Sequence, residues 1–138
     1  MTYRWPTSRL DWLKNQVRDG VAVVNLTAGE TLAAGDLCYL DSSGEMTKAD
    51  ADAESSAKSL LGISVASLTS GKVGEFLIKG FYTTSGLTSG EVLYLSPTAG
   101  AWAGSHPTDS GQISRVIGYA VTATQLFFDP DKTWLTIR

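Results

Sequence analysis

The sequence has one cysteine, Cys38, and one histidine, His106. A single cysteine excludes an intrachain disulfide and any zinc site built from several thiolates. A single histidine removes the usual partner of Ser–His and Cys–His nucleophiles. Charge is also scarce. Only 18% of residues are charged, and the net charge is −3. A net acidic chain disfavours nucleic acid as the main partner. No apolar run reaches the ~18 residues of a membrane span. The opening stretch MTYRWPTSRLDW has no hydrophobic secretory core, so no signal peptide is expected. These absences lead to four expectations: no enzymatic activity, no cofactor, no metal and no membrane partner.

What is present is a globular composition, 43% hydrophobic, with 15 Ser, 15 Thr and 14 Gly among 138 residues. Such a chain favours strands and turns over long helices. Residues 1–20 differ from the rest. Arg4, Arg9, Lys14 and Arg18 outweigh Asp11 and Asp19, giving +2 and leaving −5 on the other 118 residues. Two of the four tryptophans, Trp5 and Trp12, lie there. Thr7 or Ser8 after Pro6 offers a cap, and Leu10, Leu13 and Val17 recur at helical spacing. This reads as an extended aromatic arm followed by a short helix of about ten residues, too short to stand alone. It either caps its own domain or docks on a partner or sister subunit.

From residue 21 onward, short apolar runs alternate with turn signals. Candidate strands are Val21–Leu26, Leu37–Leu40, Leu60–Ala66, Val73–Lys79, Val92–Leu95, Ile113–Thr122, Leu126–Asp129 and Thr133–Arg138. Evenly spaced short strands predict a mainly β domain, a compact sandwich or barrel. An internal repeat divides it. LAAGDLCYL from Leu32 matches LTSGEVLYL from Leu87 at an offset of 55. After one inserted residue, Leu61-Gly62 with Val65 matches Ile117-Gly118 with Val121. Upstream, the run ending at Leu26 aligns with the run ending at Phe81. The expected organisation is therefore an arm (1–20) and a β domain (21–138). The domain comprises pseudo-symmetric repeats 21–75 and 76–130 and a C-terminal strand within 131–138. Ala-Gly-Asp and Ser-Gly-Glu should form equivalent tight turns. Gly62 and Gly118 should mark a bulge or a close backbone approach. The Ala-rich segment Ala49–Lys58 and its counterpart Ser105–Ser114 read as loops, the carboxylate-bearing Asp50–Glu54 stretch as a solvated one.

Motifs for chemistry fail one by one. Ser70-Gly71-Lys72-Val73 lacks the upstream glycine and the following hydroxyl of a phosphate loop. Gly62-Ile-Ser-Val-Ala66 ends in alanine where a nucleophile elbow needs glycine. Asp50, Asp52 and Glu54 alternate like oxygen ligands, but the glycine of a calcium loop is missing. Cys38 reads as a small core residue and His106 as an exposed loop residue. Tyr39, Tyr94, Phe76 and Phe127 read as core or subunit contacts. Trp102, just after a turn, reads as a candidate loop tip.

The run VAVVNL, then AAGDLCYL, GEMTKA, LLGISVAS and SGKVGEFLIKGFY, repeated in part as TSGEVLYL and VIGYAVTA, resembles the phage capsid decoration (head cement) family. The likeness covers Val21 to Asp129. Related β modules also occur in head fibres and tail fibres. The resemblance implies a non-enzymatic virion protein on the outer capsid surface, made in the host cytoplasm. It implies a homotrimer that clamps neighbouring copies of the major capsid protein. The family has no residue-level contact motif. Aromatics and arginines are common interface anchors, so Tyr3, Arg4, Trp5, Trp12 and Leu13 are the candidate capsid- or subunit-binding residues. The alternative is a head-fibre or tail-fibre module that binds a receptor or glycan through Trp102 and the loops 49–58 and 105–114.

Overall fold

The computed structural model describes residues 21–138, and all statements about structure concern these. The protein is mainly β. Eleven strands follow in order: β1 Ala22–Ala28, β2 Leu37–Leu40, β3 Glu45–Lys48, β4 Leu61–Ser64, β5 Val73–Thr83, β6 Val92–Leu95, β7 Trp102–Ala103, β8 Ile113–Ser114, β9 Val116–Thr122, β10 Gln125–Phe128 and β11 Leu135–Thr136. One single-turn 3-10 helix, Glu54–Ser56, interrupts them.

Nine strands form one sheet in the order β1-β3-β2-β4-β5-β10-β9-β6-β7. β1 also pairs with β5, with Val23 opposite Leu77 and Asn25 opposite Glu75. The first five strands therefore close into a ring. The remaining four extend from the second half of β5, where Phe81 pairs with Phe127 and Gly80 with Phe128. β11 and β8 make a separate pair, Leu135 opposite Ser114.

Two apolar clusters follow from the period of two along the ring strands. Cys38, Met46, Phe76 and Ala28 come from four strands of the ring and pack together inside it. Their sequence neighbours Leu37 and Leu77, with Leu61 and Ile63, face the other way. There they meet Leu93, Leu95, Ile117, Leu126 and Phe128 of the open half. Strands β2, β4 and the middle of β5 are thus covered on both faces, which is why their sequences do not alternate with polar residues.

The two turns of the repeated triplet have the same construction. Gly35 and Gly90 both take positive φ, 92° and 84°, a region that glycine enters without a Cβ clash. Asp36 N–H donates to Ala33 O at 3.1 Å, and Glu91 N–H to Thr88 O at 3.0 Å. The strands that follow are also paired alike. Cys38 lies opposite Gly62, and Leu93 opposite Gly118. Leu40 lies opposite Met46, and Leu95 opposite Trp102.

Several expectations are corrected. The predicted strand Ile113–Thr122 is two strands, β8 and β9, which break at Arg115 because its side chain turns into the interior at 5% exposure. The segment Ala49–Lys58 is irregular but not solvated throughout. Ala49, Ala51 and Ala57 are fully buried, since only a methyl group fits against the Leu37–Leu95 layer. Ser105–Ser114 is irregular until its last two residues, which form β8. Predicted strand Val73–Lys79 runs four residues further, to Thr83. In the C-terminal tail only Leu135–Thr136 is strand.

Candidate functional site

Tyr3, Arg4, Trp5, Trp12 and Leu13, the expected anchors, lie outside the described residues, as does the expected N-terminal helix. What the structure does show is where the body receives that segment. Val21 packs on the larger apolar cluster, and Ala22 pairs with Lys79. This is the point at which β5 leaves β1 and turns to β10. A Cβ added at Gly80 would lie 3.2 Å from a Val21 methyl group, so the chain enters immediately beside Phe81.

Phe81 begins a row of apolar side chains. It is opposite Phe127 on β10, Phe127 is opposite Tyr119 on β9, and Tyr119 is opposite Val92 on β6. Directly opposed residues share a face of the sheet. The Phe81 and Phe127 rings pack with centroids 5.2 Å apart and planes tilted by 47°. Phe81 is 50% exposed, Tyr119 49% and Val121 47%. Isolated exposed apolar residues are ordinary, but a contiguous set rimmed by polar groups marks an interaction surface. Thr83, Gln125 and Thr122 continue the same strands and supply that rim. Sequence reading placed Phe127 in the core or at a subunit contact. It did not single out Phe81 or Tyr119, whose alternation was hidden by the apolar residues on the opposite face.

The other candidates are dispersed. Trp102 is not a loop tip. It lies in β7, packs on the larger cluster and meets Tyr82 edge-on at 6.1 Å. The apolar indole is more stable against this cluster and the Tyr82 ring of β5 than in water. His106 is exposed and rests edge-on against Tyr94 at 5.9 Å. Asp50 is occupied locally: its Oδ1 accepts from Ser56 Oγ at 2.8 Å and from Asp52 N–H at 3.1 Å. Among the described residues no group of three His, Cys, Asp or Glu side chains converges as a metal site. No helix among them is long and apolar enough to cross a membrane. Cys38 is fully buried. Burial, reinforced by Asp36 and Glu30, pushes its thiol up to about 12. A thiol held neutral is a poor nucleophile and a poor ligand, in keeping with its place inside the ring.

Arg115 is the residue that sequence reading passed over. Its Nε donates to Asp131 O at 2.8 Å, and its Nη1 to Ala57 O at 2.8 Å and Ser59 O at 2.9 Å. Three carbonyls from two distant segments therefore converge on one guanidinium. Burial lowers its pKa, and the nearby Asp131 carboxylate opposes that shift. The Trp134 ring lies over the guanidinium carbon at 5.2 Å. The only signal in the sequence is a single charged residue in an otherwise apolar run.

No protein-family model matches the chain, and comparison with curated proteins finds no match.

Proposed function

We propose that the protein is a non-enzymatic virion subunit that decorates the outer surface of a phage capsid. In this reading it is a homotrimer whose copies bridge neighbouring major capsid proteins. The observation that carries it is the row Phe81–Phe127–Tyr119, exposed at Phe81 and Tyr119 and half-buried at Phe127, beside the point where the aromatic, basic arm joins the body. A surface of this kind suits protein–protein contact, because aromatic rings bury large area at low entropy cost. The mechanism is multivalent. Each subunit adds a modest contact, and linkage within the trimer multiplies it.

We further infer that residues 21–75 and 76–130 are pseudo-symmetric units. The matched pairs Cys38–Gly62 and Leu93–Gly118, and the matched triplet turns, support this reading. Ladder position also adjusts the alignment upstream. Ile63 pairs with Leu77, and Tyr119, its counterpart, pairs with Phe127. Leu77 then corresponds to Phe127, and Val23, opposite Leu77, corresponds to Phe81, so ladder position moves the boundary between the units from 75/76 to a point within β5 between Leu77 and Phe81. The shift of three residues relative to the Leu26–Phe81 alignment falls in the shorter connection before Leu87.

The test is co-sedimentation with purified phage heads that display the matching major capsid protein. Deleting residues 1–12 is expected to abolish co-sedimentation while the circular dichroism of the β domain persists. Undiminished binding of the truncated protein would overturn the role given to Tyr3, Arg4, Trp5 and Trp12.

A further inference from the structure

On the side of the body where the C-terminal tail crosses the ring lies an open cleft of about 920 Å³. This is within the size range of small-ligand sites. Its floor is built around Arg115, and its walls carry Lys79, Lys132, Asp129, Asp131 and Trp134.

Arg115 is 5% exposed and fixed by the three carbonyl contacts made through Nε and Nη1. Its Nη2 makes no hydrogen bond among the described residues, and no carboxylate there forms an ion pair with it. Nor is Nη2 sealed in. The one side-chain polar atom among the described residues that is both buried and unpartnered is Thr47 Oγ1. Arg115 thus lines the cleft with its guanidinium held in place and Nη2 still without an acceptor among the described residues. A planar guanidinium held in this way is suited to an oxyanion.

The remaining lining narrows the ligand. Lys79 and Lys132 with Arg115 give three cations against the two carboxylates of Asp129 and Asp131. One excess positive charge matches a monoanion, and the two carboxylates oppose a dianion such as phosphate. Those carboxylates are acceptors in search of hydroxyl donors. Trp134, 36% exposed, and Leu60, 39% exposed, add apolar faces on which a ring can lie. A peptide would be read by free backbone groups, but Asp129 N–H is committed to Ile117 O and Asp131 N–H to Val116 O.

We propose that this cleft binds an acidic sugar of the hexuronate type. The sugar carboxylate is held by Arg115 Nη2 with help from Lys79 and Lys132, the hydroxyls by Asp129 and Asp131, and the ring lies against Trp134. The capsid reading rests on the row Phe81–Phe127–Tyr119, none of which lines this cleft, so either can fail alone.

The experiment is a nitrogen-15 NMR titration of the full chain with D-glucuronate, with D-glucose and inorganic phosphate as controls. Glucuronate is expected to shift the Arg115 Nε–H and Trp134 indole N–H signals saturably, and glucose is not. Lys79→Gln and Lys132→Gln remove exposed side chains and leave the fold intact. Each is expected to weaken glucuronate binding by roughly three- to tenfold, the range of one partly exposed charge contact. Absence of saturable shifts with glucuronate would overturn the proposal. So would equal or stronger shifts with phosphate, or unchanged affinity in both lysine variants.

Discussion

Gly118 and Phe127 approach so closely across the β9–β10 pair that a Cβ at position 118 would clash with the Phe127 carbonyl oxygen. The adjoining β6–β9 register slips by one residue between Leu93 and Tyr94. The glycine thus lets three strands converge where the apolar row crosses them. Gly118→Ala is expected to destabilise by about 3 kcal/mol, because the obstacle is backbone that cannot move aside. At the matching position 62, a Cβ would meet Ile78 Cδ1 at 3.0 Å and Met46 Cε at 3.1 Å. Those are the ends of flexible side chains, so Gly62→Ala should cost only about 1 kcal/mol. Urea denaturation of both variants checks the order. Equal midpoints would contradict it.

Phe81 leaves half of its surface in solvent. Phe81→Ser should therefore change stability by less than about 1 kcal/mol. If the row is a subunit or capsid contact, the same variant should lose about 2 kcal/mol of association, the scale of an interface anchor. Sedimentation velocity and head co-sedimentation read this directly. Wild-type assembly by the serine variant would remove the row from the interface.

Cys38 supplies a pH test. Its thiol is pushed from 9.0 to about 12 in the folded protein, chiefly by burial. The unfolded chain loses that proton first, so the contribution is fully present below about pH 9 and is lost as pH rises toward 12. Over that window stability should fall by up to about 1.4 kcal/mol per pH unit from this group alone. Cys38→Ala should flatten the difference. In native buffer near neutrality the thiol should also resist alkylation that proceeds freely in denaturant. Rapid native labelling would contradict its position inside the ring.

Trp102→Ala tests the loop-tip expectation. The indole packs on Tyr82 and the larger cluster, so its removal should cost about 2 kcal/mol and leave glucuronate binding unchanged. A variant of full stability that no longer bound the sugar would restore Trp102 as a ligand contact.

Local chemistry made part of this architecture readable. Leu37–Leu40 and Val92–Leu95 were legible to the residue because each follows a glycine turn. The buried alanines 49, 51 and 57 were misread, since spacing alone does not distinguish a solvated alanine from one that fits under a leucine layer. Trp102 was misread for the related reason that its partner, Tyr82, is twenty residues away. Arg115 was invisible as a site, because its three acceptors are carbonyls, and any residue type can supply those. The face with Phe81 and Tyr119 needed the register. Only strand pairing sets these residues in one line with Phe127.

Strand β5 belongs to both halves of the sheet: its first seven residues close the ring with β1 and β4, and its last four carry β10. Neither half retains a complete set of backbone partners if the other melts. The two halves of the sheet are consequently not independent folding units, and a single cooperative transition follows for the whole body. A cut in the connection between Thr83 and Leu87 would leave β5 on the first fragment. The second fragment would then lack the strand on which β10 is built.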